Sequence, residues 1–134
     1  MQEKLNVGNR EVFKAGTALA GGVALHGETC GALTGAIMAM GSLIGRKRLK
    51  DIEQLEKAME PAGRIYTLFK EKIGHTLCWE IHKIRYGKSY RLFLPEEREA
   101  FHNMGGHNRE GCPEVCGIAA RIAADVILDI KEKS

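Results

Sequence analysis

Four cysteines are the residues of this chain with the most distinctive chemistry, at Cys30, Cys78, Cys112 and Cys116. Thiolates serve as nucleophiles, as partners in disulfide exchange, and as ligands of zinc, iron and iron–sulfur clusters. Cys112 and Cys116 are one helical turn apart, which lets both sulfurs reach one ion but is a weaker signal than Cys-x-x-Cys. We predict a cysteine-based redox or metal centre in which all four cysteines act as catalytic, cofactor-binding or metal-ligating residues.

The cysteines fall in the first turns of predicted helices. Cys30 precedes an apolar helical period, Cys78 follows Thr76, and Cys112 comes directly before Pro113. Unpaired N–H groups and the positive end of the helix dipole lower a thiol pKa, which makes the cysteine a better nucleophile and ligand. We expect such thiols from three helices to converge. The alternative is that each cysteine is a small buried apolar residue.

Histidine is the second type of candidate ligand. We select His26 as a metal ligand because it stands four residues before Cys30, whereas isolated histidines are typical of caps and surfaces. The sequence contains no Cys-x-x-Cys-His, so covalently attached haem is not expected. It also lacks a Gly-x-Ser-x-Gly elbow, a phosphate loop and a dinucleotide fingerprint, which argues against hydrolases and nucleotide-binding enzymes.

Composition predicts one soluble domain over residues 1–134, with 44% hydrophobic and 28% charged residues. The net charge of +3 is small and spread along the chain, so we expect no nucleic-acid partner. Neither a signal peptide nor a membrane-spanning stretch is evident, which predicts a cytoplasmic location. Because that compartment is reducing, the cysteines are expected to bind metal, to undergo redox chemistry or to be buried, rather than to form structural disulfides.

Helical periods predict the elements that carry these cysteines. The predicted segments are Glu11–Leu25, Glu28–Ile44, Asp51–Ile73 with a kink or split at Pro61, Cys78–Tyr86, a short helix from Pro95, and a final helix from Cys112. Asp51 and Thr76 are the predicted caps, and residues 88–94 and 104–111 are predicted to be irregular. The sum is an all-α, small helical bundle of about five to six helices.

The second predicted helix carries two glycine pairs and an apolar stripe. The glycines are Gly31, Gly35, Gly41 and Gly45, and the stripe is Leu33, Ile37, Met40 and Ile44. Glycine is costly inside a helix, so these positions indicate close backbone contact. We expect the stripe to exceed what so short a chain can cover, and we therefore predict a homodimer. The alternative is a monomer in which Gly31 and Gly35 pack on the first helix.

The sequence around Cys30 resembles the motif of a known family. The string Glu28-Thr-Cys-Gly-Ala-Leu-Thr-Gly-Ala-Ile-Met-Ala-Met-Gly41 is similar to that of the C_GCAxxG_C_C family of redox-active proteins. Cys78 and Cys112-Pro113 match the third and fourth cysteines of the family, and the resemblance extends over nearly the whole chain from Ala20. It implies a redox function for the cysteines.

The resemblance also implies an incomplete set of family ligands. Members of the family begin with a helix that carries a first cysteine, which we do not find here, whereas this sequence adds Cys116. Either Cys116 substitutes, another group or a second subunit completes the site, or the site has been lost. The related split-Soret cytochromes are similar around His26-Gly-Glu-Thr-Cys30, which implies a dimeric helical scaffold with an iron–sulfur centre.

Three functions follow as hypotheses. The first is electron transfer by an iron–sulfur or other metal–thiolate centre, with an unnamed redox partner protein. The second is a thiol–disulfide redox protein or sensor without a cofactor, in which Cys30 attacks and another cysteine resolves. The third is a non-catalytic helical scaffold whose cysteines pack or hold a structural zinc. Oxidoreductase activity is compatible with the first two.

Overall fold

The computed structural model describes all residues, 1–134, and it is all-α. Its helices are α1 (Gln2–Leu5), α2 (Arg10–Ala15), α3 (Gly31–Ile44), α4 (Ile52–Ile73), α5 (Cys78–Tyr86), α6 (Pro95–Asn103) and α7 (Cys112–Lys133), with a 3-10 turn at Thr17–Leu19. The only β-type pairing is an isolated antiparallel bridge between Thr29 and Leu77. The all-α prediction is confirmed. None of the helices combines the length and the apolar character that a membrane span requires.

Helices α3, α4 and α7 form the main core by packing against one another. The buried residues at its centre include Leu33, Met40, Ile65, Phe69, Ala123, Val126 and Ile127. The apolar stripe of α7 lies against this core, because an amphipathic helix is stable only when its apolar face is covered. An ion pair between Arg64 and Asp129, with a 2.9 Å contact, joins α4 to α7 at the surface.

The apolar stripe of α3 is largely covered within the single chain. Leu33 and Met40 are buried, and Ile37 and Ile44 pack against the same core. The expectation that a short chain could not cover this stripe is therefore wrong for Leu33 and Met40, whereas Ile37 and Ile44 remain partly exposed. The physical reason is that α4 and α7, each of 22 residues, supply two long apolar faces instead of several short ones.

Helix α4 runs through Pro61 as one 22-residue element, so of the predicted kink or split the split is wrong and the kink stays a prediction. The proline ring is buried, and we attribute the continuity to its packing, which offsets the missing backbone hydrogen bond. Asp51 caps α4 as predicted, because its carboxylate accepts from the N–H of Gln54 at 3.1 Å. The predicted Thr76 cap is wrong. The N-cap of α5 is Leu77, and the carbonyl of Thr76 instead accepts from the N–H of Cys30 at 2.8 Å.

The predicted helix Glu11–Leu25 is confirmed only in its first turns and is wrong beyond Ala15, where α2 ends, and residues 21–25 have left-handed backbone angles. In this left-handed segment φ lies between 50° and 72° at five successive residues, of which only Gly21 and Gly22 are glycines. At each of the other residues this conformation costs about 1–2 kcal/mol. Backbone bonds from Gly27 to Gly21 (3.0 Å) and from Glu28 to Gly22 (2.8 Å) close the loop and hold it in place.

Candidate functional site

The loop before α3 is bonded to the start of α5, which brings Cys30 and Cys78 to the same region. The N–H of Cys78 donates to the carbonyl of Glu28 at 2.7 Å, and the N–H of Trp79 donates to Gly27 at 3.1 Å. Together with the bond from Cys30 to Thr76, these contacts make a short ladder around the Thr29–Leu77 bridge. The two cysteines are therefore positioned by backbone bonds between segments far apart in sequence.

Two glycines make this close approach sterically feasible. A Cβ on Gly22 would lie 2.7 Å from Cβ of Cys78, and a Cβ on Gly27 would overlap the ring of Trp79. Both residues also have left-handed backbone angles, which glycine adopts without strain. Glycine is thus required here for packing against α5 and for backbone conformation.

An ion pair joins the start of α7 to α5, and this contact brings Cys112 and Cys116 near Cys30 and Cys78. The guanidinium of Arg85 donates to the carboxylate of Glu114 at 2.9 Å, and this ion pair links the C-terminal turn of α5 to the first turn of α7. The N–H of Cys112 donates to the carbonyl of Gly106 at 2.8 Å. Cys116 follows one turn along α7.

All four cysteines line one cavity of about 770 Å³, which we call the cysteine cavity. Sixteen of its 26 lining residues are hydrophobic, including Met38 on α3. A volume of this size is typical of cofactor and small-molecule sites. A second pocket of about 600 Å³, between α3 and α4, is lined mainly by charged and polar residues and contains no cysteine. The chemistry therefore favours the cysteine cavity.

A histidine that we did not select from the sequence lies among the sulfurs. His82 is 1% exposed, and its Nε2 lies 3.6 Å from Sγ of Cys78 and 3.9 Å from Sγ of Cys112. Its ring stacks on Phe101 with centroids 4.6 Å apart. The signal in the sequence was the four-residue spacing between Cys78 and His82, which places both on one face of a helix.

Burial determines the charge of this imidazole. It lowers the pKa of His82 to about 4, so the ring is neutral near pH 7. Its other nitrogen, Nδ1, is buried and has no hydrogen-bond partner. A buried polar atom without a partner is uncommon in native proteins and calls for a physical explanation.

Burial also raises the pKa of all four thiols, and it raises that of Cys78 to about 12. The expectation that helix starts lower these pKa values is therefore wrong, because desolvation is the largest effect at each thiol. At Cys30 it outweighs the backbone N–H groups of Ala32 and Leu33, which lower the pKa. At Cys112 the Tyr86 hydroxyl, 3.8 Å from Sγ, and the nearby Arg85 act in the opposite direction and lower the pKa, but by less than burial raises it. The thiols are protonated near neutral pH, and none forms a disulfide.

His26 is placed away from the four cysteines. Its ring stacks on Phe93 with centroids 4.9 Å apart, and its Nδ1 lies 2.7 Å from the carbonyl of Ala24. It does not line the cysteine cavity. The structure thus brings together four of the five residues selected from the sequence and adds His82 to them.

The residue types around the cavity fit a metal that prefers sulfur ligands, because four thiols and a neutral imidazole are ligands of zinc and of iron–sulfur clusters. In the present placement no three His, Cys, Asp or Glu side chains converge on one metal-bonding point. The structure thus brings the donor side chains into one cavity without arranging them around a single metal position.

Comparison with known families agrees with this arrangement. The family model described as "Putative redox-active protein (C_GCAxxG_C_C)" matches residues 1–126. The chain belongs to this family. The match begins at residue 1, further toward the N-terminus than the resemblance that starts at Ala20. No curated protein and no solved structure shows a significant match to the chain.

The C_GCAxxG_C_C family is described as redox-active. The family is named for its cysteines, and the structure places the four cysteines of this chain around one cavity.

Proposed function

We propose that the cysteine cavity houses a metal–thiolate centre, with an iron–sulfur cluster as the favoured form, and that the protein transfers electrons to a redox partner protein. The observation that carries the proposal is that Cys30, Cys78, Cys112 and Cys116, from three separate regions of the chain, line the same cavity. These four cysteines are the proposed ligands.

The acid–base properties of the thiols support a metal over free thiol chemistry. Buried thiols with raised pKa values are poor nucleophiles near neutral pH, because only the thiolate attacks. A coordinating metal deprotonates a thiol outright, so burial does not oppose ligation in the same way. A bound iron–sulfur cluster would supply one-electron chemistry, and the apolar walls of the cavity would restrict water and influence the potential.

A second candidate is cofactor-free thiol–disulfide chemistry, which the position of His82 favours. Its neutral Nε2 is adjacent to the thiols of Cys78 and Cys112 and can accept a hydrogen bond from one of them, while burial opposes full transfer of the proton. Oxidation of two thiols to a disulfide would release two protons and pass two electrons to an acceptor such as a small-molecule disulfide. This geometry favours the pair Cys78 and Cys112 over Cys30 as the attacking residue.

Reversible reduction distinguishes these candidates. We expect anaerobically purified protein to be coloured and its visible absorption to bleach and recover in one-electron steps. Cys112→Ser should lose most of this absorption, whereas His26→Gln, which alters a residue outside the cavity, should retain it. Colourless protein that instead titrates reversibly with two electrons per pair of thiols would support the second candidate. Colourless protein without redox activity would support the third hypothesis, a non-catalytic scaffold whose cysteines pack or hold a structural zinc.

We further propose that the protein is a cytoplasmic homodimer. At Gly41 on α3, the position that a Cβ would occupy has no neighbouring atom within 4 Å, so a second backbone could approach there, whereas the open space at Gly35 belongs to the cysteine cavity. Gly31 is different, because a Cβ there would lie 3.0 Å from the carbonyl oxygen of Leu19 within the same chain. The four free thiols are compatible with the reducing cytoplasm.

A further inference from the structure

We propose that His82 is a nitrogen ligand of the centre in the cysteine cavity, bound to the metal through Nε2. This inference rests on the proposed metal–thiolate function and adds to it a donor outside the cysteine motif that names the family. It gives the centre a mixed sulfur and nitrogen ligand set.

The distances from Nε2 to the two nearest sulfurs match those between ligands of one metal ion. With metal–sulfur bonds of about 2.3 Å and metal–nitrogen bonds of about 2.0–2.1 Å, two ligands at a tetrahedral angle are separated by about 3.6 Å. Nε2 lies 3.6 Å from Sγ of Cys78 and 3.9 Å from Sγ of Cys112. Two donor pairs that include this nitrogen are therefore close to the separation that coordination requires.

Hydrogen bonding accounts for only part of this arrangement. The lone pair on a neutral imidazole nitrogen accepts one hydrogen bond. Only one of the two thiols can therefore donate to Nε2, and the other sulfur has no hydrogen bond to this nitrogen. If Nε2 carries the proton, it can direct this proton at one sulfur, while Nδ1 is then a buried acceptor without a donor. A metal bound to Nε2 would account for the closeness of this nitrogen to the sulfurs, although the three donors do not converge on one bonding point in the present placement. The metal-bound ring would carry its proton on Nδ1, for which the structure supplies no acceptor.

The protein holds this imidazole in place and shields it from water. The ring stacks on Phe101 and has tilted or edge contacts with Tyr86 and Tyr90, which restrict its rotation. It is 1% exposed, so water does not compete freely for its nitrogens. A fixed, neutral and desolvated imidazole is the form in which histidine binds metals.

Anaerobic titration with Co²⁺ alone tests the role of His82 in metal affinity. The full-length, reduced chain is compared with His82→Gln and with His107→Gln, which alters the other histidine that lines the cavity. Loss of a ligand should weaken Co²⁺ binding at least about tenfold in His82→Gln, while His107→Gln should stay within about twofold of the unaltered protein. Equal affinity in all three proteins would overturn the inference.

Isotope labelling gives a test that does not depend on the folding of a variant. Protein labelled with ¹⁵N-histidine is loaded with Fe²⁺ and sulfide, reduced, and examined by pulsed EPR for hyperfine coupling to histidine nitrogen. We expect such coupling in the unaltered protein and in His26→Gln and His107→Gln. A paramagnetic centre without this coupling would overturn the assignment of His82 and leave the metal–thiolate function standing. Failure to bind either Co²⁺ or iron would overturn both.

Discussion

At the scale of single residues, burial dominates the chemistry around the cysteine cavity. Helix starts favour thiolates, yet each of the four thiols has a raised pKa because its surroundings disfavour charge. His82 shows the same effect with the opposite sign, because its charged form is the protonated one. The cavity thus keeps both its acids and its base neutral near pH 7.

This neutrality predicts how the stability of metal-free, reduced protein depends on pH. In the folded protein the pKa of His82 is about 4, compared with an ordinary value of 6.5. Below pH 6.5 the unfolded chain therefore binds a proton at this residue that the folded chain does not bind. The free energy of unfolding should therefore fall by about 1–2 kcal/mol between pH 7 and pH 5 from this residue. Cys78 has a folded pKa of about 12 against 9.0, so above pH 9 the unfolded chain ionises first and stability falls again.

Urea unfolding at pH 5, 7.5 and 10 measures both effects. His82→Gln should flatten the acid side of the profile, and Cys78→Ser should reduce the loss at alkaline pH because serine does not ionise there. Profiles in which both variants lose as much stability as the unaltered chain would contradict the role given to burial.

The thiols should also differ in their reactivity toward alkylating reagents. Cys116 is exposed, Cys30 and Cys112 are partly buried, and Cys78 is buried with its pKa raised to about 12. We expect iodoacetamide to modify Cys116 first and Cys78 last in metal-free protein, as measured by mass spectrometry of peptides. Modification of Cys78 ahead of Cys116 would show that the cavity is organised differently.

At the scale of elements, the sequence predicted the long helices well because each carries a regular apolar period. Helices α4, α5 and α7 begin where Asp51, Cys78 and Cys112 indicated, and the helix starts beside three of the cysteines are confirmed. These features are local. The apolar period and the capping residue lie within the same stretch of chain that they specify.

The sequence did not predict the left-handed segment at residues 21–25. Ala24 and Leu25 favour a helix locally, whereas backbone bonds between Gly27 and Trp79 and between Glu28 and Cys78 favour the loop. These bonds join segments about 50 residues apart in sequence. The spacing of apolar residues within one segment cannot predict such contacts. His82 was missed for a related reason, because only packing brings it to Cys112 across 30 residues.

Two glycine substitutions test whether this loop is held by its packing on α5. Gly27→Ala should destabilise the protein by about 2 kcal/mol or more, because its Cβ overlaps Trp79 and its φ is 74°. Gly63→Ala is the matched control in α4, where a Cβ meets no atom within 4 Å, and it should stabilise the helix by up to about 1 kcal/mol. The measurement is urea unfolding followed by fluorescence of the single tryptophan, Trp79. Equal effects of the two substitutions would contradict this account of the loop.

At the scale of the whole molecule, three long helices build the core, and the smaller elements build the cavity beside it. The core of α3, α4 and α7 is covered within one chain, so a dimer is not needed for burial of the α3 stripe. The remaining argument for association is the open surface at Gly41.

We predict a dimeric mass in light scattering at micromolar concentration. Gly41→Leu, which would fill the open position on α3, should shift the mass toward that of a monomer, whereas Gly63→Leu, at an exposed position of α4, should leave the mass unchanged. A monomeric mass for the unaltered protein in both oxidising and reducing buffer would refute the dimer.

The central claim concerns the contents of the cysteine cavity, and analysis for iron and acid-labile sulfide tests it most directly. Protein purified without oxygen from an iron-replete host should contain both elements in fixed, stoichiometric amounts per chain. Replacement of Cys78 by serine should remove most of them. Well-folded, unaltered protein that contains neither iron nor sulfide after purification and reconstitution would contradict the proposed iron–sulfur centre.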